Sequence, residues 1–107
     1  MIEILQGTQI TLGINLTDED TGEPITDADV TEVEVVIGNI RKTLSGGDIG
    51  YNGERAEWIL PLTQEETFAL YPKIYQPVVR VVLNNGAVPG TRLDRVRVIE
   101  NKSKEVL

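Results

Sequence analysis

The sequence predicts an all-β protein, an immunoglobulin-like antiparallel β-sandwich of about seven strands with one short helical turn near residues 64-70. Apolar residues recur at every second position in several segments. Turn signals separate these segments roughly every 8–12 residues, which is typical of small sandwich domains. The absence of cysteine excludes true antibody-type domains. A small β-barrel would show the same pattern and is the alternative architecture.

The alternation is clearest in the first half of the chain. From Ile10 to Thr17, aliphatic residues alternate with polar residues or glycine, which places one face on a core and the other in water. Val33, Val35 and Ile37 form a second alternating run, and Val36 on its other face indicates that this strand is covered on both sides. Further strands are predicted over Ile40–Leu44, Arg55–Leu62, Tyr75–Leu83 and Arg92–Ile99.

Two other local features follow from spacing. Leu93 is out of phase with Val96, which predicts a β-bulge near Asp94. Tyr51-Asn52-Gly53 reads as a turn that breaks the chain between strands.

A short helix is predicted over Gln64–Leu70. Thr63 and Glu66 have the spacing of a capping box, in which each side chain bonds the backbone amide of the other residue. Phe68 and Leu70 cannot both face the core from an ideal helix, so we expect one of them to pack at a helix end.

The chain length corresponds to a single β-sandwich domain over residues 1-100, followed by a C-terminal tail over residues 101-107. Trp58 is the only tryptophan and lies in phase with the neighbouring apolar residues, so we expect it to fill the core. Tyr51, Tyr71 and Tyr75 flank turns and are candidates for exposed contacts. The predicted core consists of Ile10, Leu12, Ile14, Val33, Val35, Ile37, Trp58, Leu60, Val79, Val81, Val96 and Val98.

Composition removes much catalytic chemistry. Without cysteine the chain has no thiol nucleophile and no thiolate metal site, and without histidine it lacks the commonest general base. Ser45 has no histidine partner, and no phosphate-binding glycine motif is present. We therefore expect no enzyme activity, no catalytic residue and no cofactor. Glu3 interrupts any signal peptide, and no apolar run is long enough to span a membrane.

Acidic residues offer two further hypotheses. Glu65 and Glu66 start the predicted helix, where carboxylates favour the helix dipole, and we prefer this interpretation to a catalytic carboxylate pair. Asp18, Asp20 and Glu23 form a weak calcium candidate, because calcium prefers oxygen ligands. Their spacing does not fit an EF-hand loop, so a solvated turn is the favoured interpretation and we expect no metal.

Basic residues gather near the C-terminus, where Arg92, Arg95 and Arg97 alternate along the last predicted strand. A basic stripe is one sign of nucleic-acid binding. The net charge of −7 opposes it, so we expect a solvated strand face paired with neighbouring acidic residues, and no nucleic-acid partner.

Charge is unevenly distributed along the chain. The first 40 residues contain nine acidic residues and no basic one, whereas residues 92–107 contain five basic and three acidic residues. Head-to-tail assembly into a homo-oligomer is one interpretation, and an acidic face that favours solubility is the other. Both remain open from the sequence.

Several segments together carry a family resemblance. They are Met1–Gly7, Thr8–Leu16, Gly22–Asp27, Val33–Gly38, Leu60–Thr67, Pro77–Leu83, Arg92–Val98 and Ser103–Leu107. With them the chain resembles the small immunoglobulin-like structural proteins of phages and prophages of Gram-positive bacteria. It is also similar to the N-terminal domain of the phage baseplate upper protein.

This resemblance implies a non-enzymatic structural or assembly module of a phage or prophage, in the tail, the baseplate or as a virion accessory. Its partners would be other phage structural proteins, and it would be found in the virion or in the host cytoplasm during assembly. Because the chain ends directly after its last strand, we expect a free-standing accessory or adaptor subunit. The alternatives are a carbohydrate- or cell-wall-binding module, for which 5% aromatic residues are a poor supply, and an inhibitor of a host defence protein.

Overall fold

The computed structural model describes all residues from Met1 to Leu107 and contains ten strands and one helix. The strands are β1 (Ile2–Leu5), β2 (Ile10–Ile14), β3 (Val30–Ile37), β4 (Ile40–Thr43), β5 (Gly50–Asn52), β6 (Glu57–Leu62), β7 (Ile74–Tyr75), β8 (Val78–Leu83), β9 (Gly90–Arg92) and β10 (Val96–Ile99). The helix α1 (Gln64–Ala69) connects β6 to β7. The molecule is elongated, with extents of 46 × 23 × 22 Å.

The strands form two layers. The smaller layer has the order β2-β6-β5. In the larger layer, β7 and β8 are one strand interrupted at residues 76–77, and β9 and β10 are one strand interrupted at residues 93–95. Its two hydrogen-bonded sheets, β4-β3-β8-β9 and β7-β10-β1, therefore continue into each other in the order β4, β3, β7–β8, β9–β10 and β1. All strand pairs are antiparallel except β1 and β10, which run parallel.

This arrangement confirms the predicted fold class. The strand order is that of an immunoglobulin-like sandwich in which the first strand joins the larger sheet beside the last one. A tyrosine corner supports the assignment, because the Tyr75 hydroxyl donates a hydrogen bond to the Tyr71 carbonyl over 2.9 Å. Strands β2, β5, β4 and β1 each pair on one side only, so the sheets do not close into the alternative barrel.

The core lies between the two layers and contains twenty buried apolar residues. Every predicted core side chain belongs to it except Ile10, which is half-buried and packs against its edge. Trp58 is 1% exposed, and its indole nitrogen donates a hydrogen bond to the Ile25 carbonyl over 3.0 Å. Its ring also contacts Tyr51, with a centroid distance of 4.8 Å. The predicted structural role of Trp58 is therefore confirmed.

The helix begins as the sequence predicts. The Glu66 amide donates to the Thr63 hydroxyl over 3.2 Å, and the Thr63 amide donates to the Glu66 carboxylate over 2.9 Å. The helix ends at Ala69, Leu70 is buried, and Phe68 is only half-buried. One of the two apolar side chains thus packs beyond the helix end, as the spacing requires.

The predicted bulge is also present. Arg92 pairs with Val78 and Val96 pairs with Tyr75, so three residues of one strand face two of the other. The extra residue lies within positions 93–95, which include Asp94.

Several predicted boundaries were wrong. The sequence interpretation missed β1, because its four residues contain only two inward-facing side chains and its partner lies at the far end of the chain. It also assigned Tyr51-Asn52-Gly53 to a break, whereas Gly50–Asn52 forms β5. The strand predicted to run to Thr17 ends at Ile14. Short edge strands depend on pairing with a distant neighbour, which local periodicity does not reveal.

The tail over residues 101-107 contains no strand or helix, and its backbone is held against the domain by side chains. The Asn101 amide group donates to the Gln6 carbonyl over 2.9 Å. The backbone amide of Leu107 donates to the Gln64 side chain over 2.8 Å. The tail therefore lies at the end of the sandwich that carries α1.

The tyrosine corner gives a stability prediction. Replacing Tyr75 with phenylalanine removes the hydroxyl that holds the Tyr71 carbonyl, so we expect the free energy of unfolding to fall by about 1 kcal/mol. Tyr71→Phe is the matched control, because that side chain is 79% exposed. Urea unfolding measures both variants, and an equal effect of the two would contradict a specific role for the Tyr75 hydroxyl.

Candidate docking surface

One side of the larger layer faces the core and the other faces solvent. Residues directly opposite each other on neighbouring strands share a side of the sheet, so the pairing register defines the solvent side. We call it the outer face. Its side chains include Glu3, Leu5, Glu32, Glu34, Val36, Arg41, Ile74, Val78, Arg80, Val82, Arg92, Arg97 and Ile99.

The outer face exposes large aliphatic side chains. Leu5, Ile74, Val78 and Ile99 are 43%, 44%, 41% and 38% exposed, respectively. Leu5 lies directly opposite Ile99, and Val78 lies directly opposite Val36. Exposed apolar side chains that share one face, with polar residues among them, are typical of a protein contact surface.

Three charged residues form a ladder across the same face. Glu34 accepts from the Arg41 Nε over 2.6 Å and from the Arg80 Nη2 over 2.7 Å. Hydrogen bonds from Arg41 and then Arg80 hold the pKa of Glu34 below its usual range. Because one carboxylate serves two guanidinium groups, the ladder as a whole carries positive charge.

The predicted basic stripe is divided between this face and the bulge. Arg92 and Arg97 lie on the outer face, whereas Arg95 lies in the bulged segment, and all three are exposed. Arg97 pairs with Glu3 on the neighbouring strand, with a distance of 4.0 Å between the charged groups. The pair agrees with the expected pairing for Arg97, whereas Arg92 and Arg95 form no ion pair.

The calcium candidate lies in the loop between β2 and β3. The Asp18 carboxylate accepts hydrogen bonds from the amides of Asp20 and Thr21 over 2.8 and 3.3 Å, as in a turn stabilised by its own first residue. The structure contains no group of three or more acidic side chains that could hold a metal ion. Asp18, Asp20 and Glu23 are therefore not brought together as ligands.

Two loops meet at this acidic end. The Asn84 backbone amide donates to the Asp29 carbonyl over 3.0 Å, and its side-chain amide donates to the Ala28 carbonyl over 2.7 Å. The first loop contributes the six carboxylates between Asp18 and Asp29, so this end is strongly acidic, whereas the outer face carries four arginines.

Other candidate residues have structural roles. Ser45 donates from its hydroxyl and its amide to Glu32, and these bonds lower the pKa of Glu32. The expectation of an exposed Tyr75 was wrong, because its ring is buried and burial raises its pKa. Tyr51 is half-buried against Trp58, which leaves Tyr71 as the one fully exposed tyrosine.

Glu66 has a second partner besides the helix cap. The Lys42 ammonium group lies 2.6 Å from its carboxylate and ties β4 to α1. Burial alone would raise the pKa of Glu66, but hydrogen bonds from Lys42 and the Thr63 amide outweigh it and lower the pKa. The helix-cap interpretation of Glu66 agrees with these contacts.

Comparisons with protein-family models, with curated proteins and with solved structures found no match for this chain. No helix has the length and apolar character needed to cross a membrane. The sequence interpretation identified Arg92 and Arg97 of the outer face but not Arg41, Arg80 or its aliphatic residues. The pairing register was the missing signal, because it shows that Ile74 and Val78 point away from the buried Tyr75 and Val79.

The ladder gives a pH prediction. The pKa of Glu34 is lowered by folding, so its contribution to stability is complete above the unfolded pKa of about 4.3 and is lost as the pH falls through the folded value. We expect Glu34→Gln to lower the melting temperature at neutral pH and to reduce its fall below about pH 4.

Thermal melts between neutral and strongly acidic pH measure both effects. Glu32 and Glu66 also have lowered pKa values, so part of the acid dependence should remain. Glu105→Gln is the control, since this exposed side chain forms no ion pair and its removal should leave the profile unchanged. A profile of Glu34→Gln that follows the parent at every pH would contradict the prediction.

Proposed function

We propose that this chain is a non-enzymatic structural or assembly module of a phage or prophage particle, in the tail, the baseplate or as a virion accessory. It works by contact with other phage structural proteins through the outer face. The main support for this contact surface is the exposure of Leu5, Ile74, Val78 and Ile99 on the outer face of the larger layer. The phage assignment is supported by the sequence resemblance described above.

The chemistry of the outer face suits protein contact. Aliphatic side chains supply apolar area that association can remove from water. Arginines are enriched in protein interfaces because the guanidinium group is planar and offers several donors. Glu34 already fixes the side chains of Arg41 and Arg80, so less side-chain freedom is lost when a partner binds.

Charge favours an acidic partner surface. The outer face has four arginines against Glu3, Glu32 and Glu34, although the chain as a whole carries a charge of −7. A partner with acidic groups around an apolar patch would complement this face. The acidic end of a second copy is one surface of this kind, so head-to-tail self-association belongs to the same proposal.

The carbohydrate-binding alternative has less support. Sugar-binding modules stack sugar rings on exposed aromatic side chains. Here Trp58 and Tyr75 are buried, and Tyr51 leans on Trp58. Tyr71 alone does not form a platform of several rings, so the protein-contact function is the better supported of the two.

The proposal is tested by placing charges on the outer face. We expect Ile74→Glu combined with Val78→Glu to abolish particle assembly or incorporation of the chain, because two carboxylates would be buried at the contact. The host strain lacking this gene is complemented with each variant and induced. Electron microscopy counts intact particles, and mass spectrometry of purified particles measures how much of the chain they contain.

Val88→Glu is the matched control, since Val88 is 55% exposed in the β8–β9 turn and lies off the outer face. Circular dichroism confirms that all variants are folded. The proposal fails if the gene deletion leaves the particles unchanged and the chain is absent from them. It also fails for the outer face if the double variant assembles as well as the control.

A further inference from the structure

The free edge of β2 is a second surface with the features of a binding site. β2 pairs only with β6, and no other strand covers its far side. Pro61 of β6 lies opposite Thr11 and has no amide hydrogen, so these two residues do not form a hydrogen-bonded pair. The backbone hydrogen bonds between the two strands therefore involve the alternate residues of β2, namely Ile10, Leu12 and Ile14. The backbone groups of Thr11 and Gly13 therefore point away from β6, toward the open side.

These backbone groups have no other partner in the structure. No hydrogen bond outside the sheet involves the amide or carbonyl of Thr11 or Gly13. The other edges are better protected, because β4 carries Arg41 and Lys42, β5 is only three residues long and β1 carries Glu3. β2 has five residues and carries neither charge nor proline.

A cavity runs along this edge. It has a volume of about 310 Å³ and lies in the gap between β2 and the bulged segment of β9–β10. Leu12, Ile14 and Leu60 form part of its apolar wall, and Arg92 and Asp94 stand at the bulge. Because the consecutive residues 12–16 line it, the cavity meets the backbone of β2 as well as its inward side chains.

A carboxylate lies on the other side of the same edge. A Cβ atom built on Gly13 would lie 2.5 Å from the Cδ atom of Glu57, so the Glu57 carboxyl group covers Gly13. The Glu57 side chain forms no hydrogen bond or ion pair. The absence of a side chain at position 13 thus places an uncompensated negative charge beside the open backbone.

From these features we infer that the β2 edge binds an extended segment of another polypeptide by strand addition. Its backbone pairs with Thr11 and Gly13. Its inward side chains are aliphatic and enter the cavity, whereas an outward lysine or arginine meets Glu57. The segment therefore alternates aliphatic and basic residues, which also suits an acidic chain.

The inference is tested with the purified full chain and two capped seven-residue peptides. One alternates lysine with valine, and the other alternates glutamate with valine. NMR titration follows the backbone amides, and we expect the lysine peptide to shift those of Thr11, Gly13 and residues 91–94. The glutamate peptide should bind at least about tenfold more weakly, because its carboxylates are repelled by the Glu57 carboxylate.

Two variants and a matched control test the site. Gly13→Lys pairs with Glu57 and places a charge on the edge, and Thr11→Pro removes the open amide without breaking a bond to β6. Each variant should bind the lysine peptide about tenfold more weakly than the parent chain does. Gly50→Lys makes the same change on the β5 edge, where a Cβ atom meets nothing within 4 Å, and should leave binding unchanged.

Three results would overturn the inference: no shift of the Thr11 and Gly13 amides at millimolar peptide, equal binding of both peptides, or shifts centred on β1, β4 or β5. Shifts of the same amides that depend on protein concentration without peptide would assign the edge to a second copy, and would overturn the choice of partner. Ile74→Glu should not alter peptide binding, because Ile74 lies opposite Arg97 and outside the cavity wall, so failure here is distinguishable from failure of the outer face.

Discussion

Burial of one side of every long strand is the constraint on which this molecule depends. The chain has no cysteine and therefore no disulfide to hold its layers, so the twenty buried residues between the sheets supply the cohesion. Trp58 illustrates how tightly the core is defined, because its ring is buried and its single polar atom bonds the Ile25 carbonyl. With the inward sides committed to the core, the outward sides, the strand edges and the loops remain for binding.

The same constraint explains what the sequence could predict. Val33, Val35, Leu60 and Val96 were assigned to the core because alternation in a long strand is a local pattern, and the capping box at Thr63 is local as well. The bulge near Asp94 was predictable because a change of phase is visible within a few residues.

Other features depend on contacts between distant residues. β1 is held by a parallel partner more than ninety residues away, and β5 by three residues of β6. Ile74 is an aliphatic residue of the kind that usually fills a core, and only its position opposite Arg97 shows that it faces outward. The open edge of β2 is likewise a property of the whole sheet order. Local periodicity therefore identifies the buried sides, whereas the topology decides which surfaces are left.

The two surfaces differ in the kind of recognition that they support. The outer face offers side chains, so its specificity comes from the positions of aliphatic groups and of arginines that Glu34 holds in place. The β2 edge offers backbone groups, which any extended chain can pair, so selectivity there must come from the cavity and from Glu57. The outer face lies on the solvent side of the larger layer and the β2 edge belongs to the smaller layer, although Arg92 borders both. With the two proposed surfaces, the domain would contact a folded neighbour through side chains and an extended segment through its backbone.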